Sequence, residues 1–248
     1  MIFIFTIFNF IHVGCISPQR IKRSEARTNL ATEYLKEGNP TDAITTLQMA
    51  VELNRRNAKA HEKLALAYSS KGAYELADKS FRRSLQLENS PETHNNYGLM
   101  LLYQGQYEDA ILHFEEAASD LTYRNTALTL NNLGYTYFLK GDLKSAEFYL
   151  RDAVHRAPNL CQARKNLGEV LKVATKYGES INQFQDLKGS CKDMSQIASL
   201  EIAKNQIELE QYALACMELQ DLMVVVTDSK MAQLASESLS IACQTSMQ

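Results

Sequence analysis

The chain has 248 residues and a formal net charge of −3, from 26 Lys and Arg against 29 Asp and Glu. That length covers one large or two modest domains. The lack of a basic excess argues against a nucleic-acid partner. Four prolines, no tryptophan and plentiful Ala, Leu, Glu and Lys favour helix over sheet, and no low-complexity tract suggests disorder.

The chain opens with MIFIFTIFNFIHVGCISPQR. From Ile2 to Val13 only Thr6, Asn9 and His12 are polar, a run of 12 residues. A bilayer-spanning helix needs about 20. A short apolar core ending in small residues has the form of a secretory signal, expected over residues 1–14, although no Lys or Arg precedes it. The box His12-Val13-Gly14-Cys15 resembles the Leu-x-Gly/Ala-Cys box of bacterial lipoproteins, with His12 where Leu is usual. That resemblance implies a lipid on Cys15. Ile16 stands where an inner-membrane retention Asp would be, which points to the outer membrane. Residues 15–23, with Ser17-Pro18 and three basic side chains, are expected to form a short tether.

A repeat follows. The small residues Ala31, Ala65, Gly98, Gly134, Gly168 and Ala203 recur at intervals of 34, 33, 36, 34 and 35. Twelve residues after each comes Ala43, Ala77, Ala110, Ala146, Ser180 or Ala215. Four further on stands a large apolar residue: Leu47, Phe81, Phe114, Leu150, Phe184 or Leu219. Helical spacing predicts two helices per unit, with a turn at Gly38, Gly72, Gly105 and Gly141 in the first four units. Units five and six place Thr175 and Glu210 at that turn. No unit can bury its own stripes, so the units must stack.

Leu133-Gly134, Tyr137, Gly141, Ala146, Leu150, Ala153 and Pro158 resemble the tetratricopeptide repeat. The resemblance implies an all-α, right-handed superhelical solenoid of about six repeats over residues 24–228. Residues 229–248 supply a capping helix and tail. It also implies a groove lined by the first helix of each unit. The groove positions are Asn95, Leu99, Leu102 and Tyr103 in unit three, and Asn131, Tyr135, Phe138 and Leu139 in unit four. Units two and five are more polar there; unit five has Lys165, Glu169 and Lys172. An apolar middle suits the nonpolar face of an amphipathic helix, with Asn95 and Asn131 free to bond a peptide backbone. Thr28 and Thr32 occupy the positions of the leading Lys and Asn of a carboxylate clamp, so that mode is not expected.

The antiparallel repeat brings Cys161 to the same end as Cys191, and Cys216 to the same end as Cys243, so both pairs are disulfide candidates. The alternative is buried thiols packing as small apolar residues. No histidine has a second ligand at metal spacing, and no catalytic signature is present, so neither an enzyme nor a metal or cofactor site is expected.

Residues 90–160 are similar to the type IV pilus biogenesis and stability lipoproteins, the PilF/PilW/Tgl family. The specific features are Asn95-Asn96-Tyr97-Gly98 and the long connection Ala118 to Ala127, with Tyr123 and Asn125-Thr126-Ala127-Leu128. The resemblance implies a monomeric pilotin on the periplasmic face of the outer membrane. Its implied partner is the pilus secretin, whose localisation and multimer assembly it promotes. The competing expectation is a general periplasmic scaffold for cell-envelope or cell-wall assembly.

Overall fold

The computed structural model describes residues 16–245. The expected signal segment and Cys15 lie outside the described residues, as do residues 246–248. The described chain divides into two compact units, meeting in sequence at Asn89 and Ser90. Among the described residues the regular structure is thirteen α-helices and one 3₁₀ turn, with no strand.

The first unit holds α1 (Pro18–Lys36), α2 (Pro40–Leu53), α3 (Ala58–Ser70) and α4 (Tyr74–Leu87). Its start corrects the expected tether: the helix begins at Pro18. Proline fits a helix's first turn because the missing N–H would have had no partner there. Ser17 is the N-cap, its side chain accepting from the Arg20 N–H. Asn39 and Asn57 cap α2 and α3 in the same way. Ala31, Ala43, Leu47, Ala50, Ala60, Leu64 and Ala67 form one buried cluster of this unit. Ser24 joins the layers, donating to the Ala50 carbonyl at 2.8 Å and accepting from the Asn57 amide at 2.9 Å.

The second unit holds α5 (Pro91–Tyr103), α6 (Tyr107–Ser119), α7 (Thr126–Lys140), α8 (Leu143–Arg156), α9 (Cys161–Val173) and α10 (Tyr177–Ser190). It continues with α11 (Ser195–Glu208), α12 (Tyr212–Val225) and α13 (Ser229–Thr245). Successive helices pair as hairpins, and α5 touches α7 as α7 touches α9. The repeat columns form the core of both units. Phe81, Phe114, Phe184, Leu47, Leu150 and Leu219 are all fully buried. Burial of each such side chain contributes about 1.5–3 kcal/mol. Ser180 replaces alanine in its column, and its hydroxyl is satisfied by donating to the Gly168 carbonyl at 2.8 Å.

The turn column keeps one geometry throughout. Gly38, Gly72 and Gly105 have φ +72° and Gly141 has +87°, the left-handed region that ends a helix. Thr175 and Glu210 adopt φ +58° at the same position without the freedom of glycine. α13 covers the last hairpin, with Ala235 and Ala242 buried against Leu200, Ala203, Ala215, Leu219 and Leu222.

Two disulfides close this region. Cys161 is bonded to Cys191 across α9 and the end of α10, with Cα atoms 6.0 Å apart. Cys216 is bonded to Cys243, joining α12 to α13, with Cα atoms 5.0 Å apart.

Candidate functional site: the face of α5, α7 and α9

On α5 the expected groove residues follow i, i+4, i+7 and i+8, one face of the helix. Leu99 and Leu102 are half-buried, and Tyr103 is 83% exposed. On α7, Tyr135 and Phe138 are half-buried with ring centroids 6.3 Å apart, and Leu139 is 42% exposed. Phe138 also packs on the cluster of Ala146, Leu150, Leu167, Val170 and Leu171, so it serves the core as well as the face. Val173 on α9 occupies the repeat position of Tyr103 and Leu139 and is 52% exposed. Its neighbours Lys165, Glu169 and Lys172 give unit five a polar sequence and hide it there. Tyr103, Leu139 and Val173 therefore form an exposed apolar row, one residue per repeat.

Asn95 and Asn131 require a correction. Both are buried, at 4% exposure each, and their oxygens are occupied. The Asn95 Oδ1 accepts from the Thr129 hydroxyl at 3.0 Å and from Asn132 Nδ2 at 3.2 Å. Asn131 donates to Asn132 at 3.3 Å and accepts from Asn166 at 2.8 Å, and Gln162 donates to Asn166 at 2.7 Å. A buried amide left unpaired costs about 1–3 kcal/mol, so these side chains bond one another across α5, α7 and α9 instead of standing open to a peptide backbone. The repeated asparagines at 95, 131, 132 and 166 were the available sequence signal.

Beyond the apolar row the face becomes charged. Lys165 pairs with Glu169 at 2.8 Å, and Glu201 accepts from Lys172 and, at 2.9 Å, from Lys204. Burial alone would raise the Glu201 carboxyl, but the two ammonium groups hold it below the usual carboxylate value. Lys172, Val173, Thr175, Tyr177, Lys204 and Glu208 line a cleft of about 410 Å³ beside them.

His94 on α5 and His113 on α6 come together. His94 Nδ1 and His113 Nδ1 are 2.8 Å apart, and burial lowers the His94 value against a smaller opposing pull from Glu116. Among the described residues no group of three or more His, Cys, Asp or Glu is placed to hold a metal ion. Tyr137 stacks on Tyr149 and donates to Glu115; burial first, then the Glu115 charge, pushes its phenol up to about 12.

Tetratricopeptide-repeat family profiles match residues 28–92 and 89–159, together just over half of the chain. The type IV pilus assembly protein PilF of Pseudomonas aeruginosa is 28% identical over 169 residues, covering 66% of this chain and 67% of PilF. An uncharacterised protein of Haemophilus influenzae is 30% identical over 133 residues, covering 51% of this chain and 74% of that protein. The structure of Pseudomonas aeruginosa PilF superposes with a TM-score of 0.76 at 22% identity, over 88% of this chain and 99% of that one. PilW, described as a widely conserved type IV pilus biogenesis factor, superposes with a TM-score of 0.75 at 24% identity, over 85% and 96%. The columns of small and large residues, the hairpins they build and these matches agree: the chain belongs to the tetratricopeptide-repeat family, as a homologue of PilF with the fold of PilF and PilW.

Proposed function

We propose that this protein serves type IV pilus biogenesis as a pilotin, a monomer anchored by a lipid on Cys15 to the periplasmic face of the outer membrane. Its cargo is a segment of the pilus secretin, bound on the face of α5, α7 and α9. Homology to PilF supports the pilus role. The observation that carries the binding role is the exposed apolar row Tyr103, Leu139 and Val173. Contiguous exposed apolar surface marks interaction sites, and evenly repeated anchors suit the nonpolar face of an amphipathic helix. Two disulfides fit an oxidising compartment, where such bonds persist, and so support export. A lipid on Cys15 would confine the repeats to the membrane and raise the local concentration of captured secretin subunits where the ring assembles.

The test is capture of the secretin from solubilised membranes, using Tyr103→Ala/Leu139→Ala as the control. These side chains are exposed, whereas Phe138 is packed in the core and its removal would confound binding with stability. The expected outcome is loss of secretin from the variant at unchanged folding, and loss of secretin multimers on gene deletion. Equal capture by both proteins, or normal multimers in the deletion strain, overturns the proposal.

A further inference from the structure

The first unit is electrically lopsided although the whole chain is acidic. The antiparallel hairpins bring the start of α1, the end of α2 and the start of α3 to one end of the unit. Contacts fix this: Arg20 Nη2 donates to the Glu52 carbonyl at 3.0 Å, and the Asn57 amide reaches Ser24 and Thr28 at 2.9 and 3.2 Å. Arg20, Lys22, Arg23, Arg55, Arg56 and Lys59 gather there, all exposed. The exposed carboxylates on these segments are Glu25 and Glu52. Among the described residues none of the six cations is in an ion pair. At the end of α4, Arg83 and Glu88 offset each other. The opposite end of the unit is acidic, with Glu33, Glu37, Asp42 and Glu75 against Lys36 and Lys71.

Six unpaired cations at one end of an acidic protein are a cost unless something anionic faces them, since like charges repel. We propose that this end of the first unit is a docking face for an anionic phospholipid surface, with the six side chains meeting headgroup phosphates. Charge complementarity selects the occupant. The proposal does not depend on the groove, and position in the chain strengthens it. Cys15 precedes Pro18 by three residues, a reach of at most about 10 Å. A lipid there would hold the patch within about one Debye length of the headgroups, where the attraction is little screened. Each cation near an anionic surface strengthens partition about fivefold.

The experiment is co-sedimentation of the expected mature chain, residues 15–248 with Cys15→Ala, which removes both the apolar leader and any lipid, with vesicles of phosphatidylcholine alone or mixed with phosphatidylglycerol. The phosphatidylglycerol vesicles are expected to bind it, and the phosphatidylcholine vesicles to leave it in solution. Replacing Arg20, Lys22, Arg55 and Arg56 by Gln should weaken partition by a few hundredfold. Lys36→Gln/Lys71→Gln, at the opposite end, should change nothing, and circular dichroism checks that both variants fold. Equal partition onto the two vesicle types, no partition onto either, or an unaffected fourfold variant overturns the proposal. So does retention of double-stranded DNA in place of vesicles. Secretin capture can fail while this result stands, and the reverse, so the two proposals are decided separately.

Discussion

Repeats three and four are held by packing, whereas repeats five and six depart from the pattern and are tied covalently. In the former, Gly98 and Gly134 let Phe114 and Leu150 press onto the first helix, and Gly105 and Gly141 make the turns. In the latter, Thr175 and Glu210 sit at positive φ, and the oxygens of Asn205 and Gln206 are buried without a hydrogen-bond partner. Both disulfides lie in this second region. A consensus repeat needs no clamp because each local preference agrees with the fold. Where that agreement weakens, restricting the unfolded chain restores the margin.

The largest test of this contrast is removal of the clamps. The bonds close sequence separations of 30 and 27 residues, and loops of that size give about 3.6 kcal/mol of stabilisation each. Reduction should expose α9–α13 to hydrogen exchange well before α5–α8, whereas Cys161→Ala/Cys191→Ala, which leaves the bond between α12 and α13 intact, should expose α9 and α10 first. Uniform loss of protection along the second unit would show that the clamps do not act locally.

The next test acts on packing. A Cβ at Gly134 would lie 2.7 Å from Leu150 Cγ and 3.1 Å from both the Ala146 oxygen and the Leu150 nitrogen. Backbone cannot yield as a side-chain tip can, so Gly134→Ala should cost about 2 kcal/mol. At Gly168 the nearest atoms all belong to the Phe184 ring, at 2.8 Å and beyond, and Gly168→Ala should cost less. Denaturant midpoints of the two variants give the order, and the reverse order would refute the distinction.

The smallest effect has the opposite sign. Thr175→Gly should stabilise the protein by about 0.5–1 kcal/mol, because a β-branched residue is strained at positive φ. The gain is limited by the added freedom of glycine in the unfolded chain. Glu210→Gly should gain less. Calorimetry showing a lower melting temperature for Thr175→Gly would mean the turn is not strained.

These departures also mark where sequence reading succeeds and stops. Columns of small and large residues were legible because helical spacing and repeat length are one-dimensional. The cysteine pairs were nameable because antiparallel helices return the chain to the same end. Ser17-Pro18 has the sequence of a linker although it starts a helix, since a turn and a capped helix start use the same residues. Val173 was hidden by its charged neighbours. The hydrogen bonds from Thr129 and Asn132 to Asn95, and from Asn166 to Asn131, span 34–37 positions, so only the recurrence of asparagine from unit to unit hints at them.

Those amide bonds have a consequence for how such an array can change. From Gln162 through Asn166, Asn131 and Asn132 to Asn95, each side chain donates to the next in the same direction. Repeat arrays are commonly regarded as strings of interchangeable bricks, free to lengthen or shorten by duplication or loss. Here the joints follow that picture through their chemistry. Asn132 and Asn166 stand two residues before Gly134 and Gly168, and they donate to Asn95 and Asn131, each three residues before Gly98 and Gly134. Removing the unit that carries Asn131 and Asn132 would set the Asn166 donor against the Asn95 acceptor and close the same joint. Unit five has Lys165 at the acceptor position, so the joint cannot be repeated beyond it. Loss or duplication of the middle unit keeps the amide ladder intact, and the ladder ends where lysine replaces asparagine.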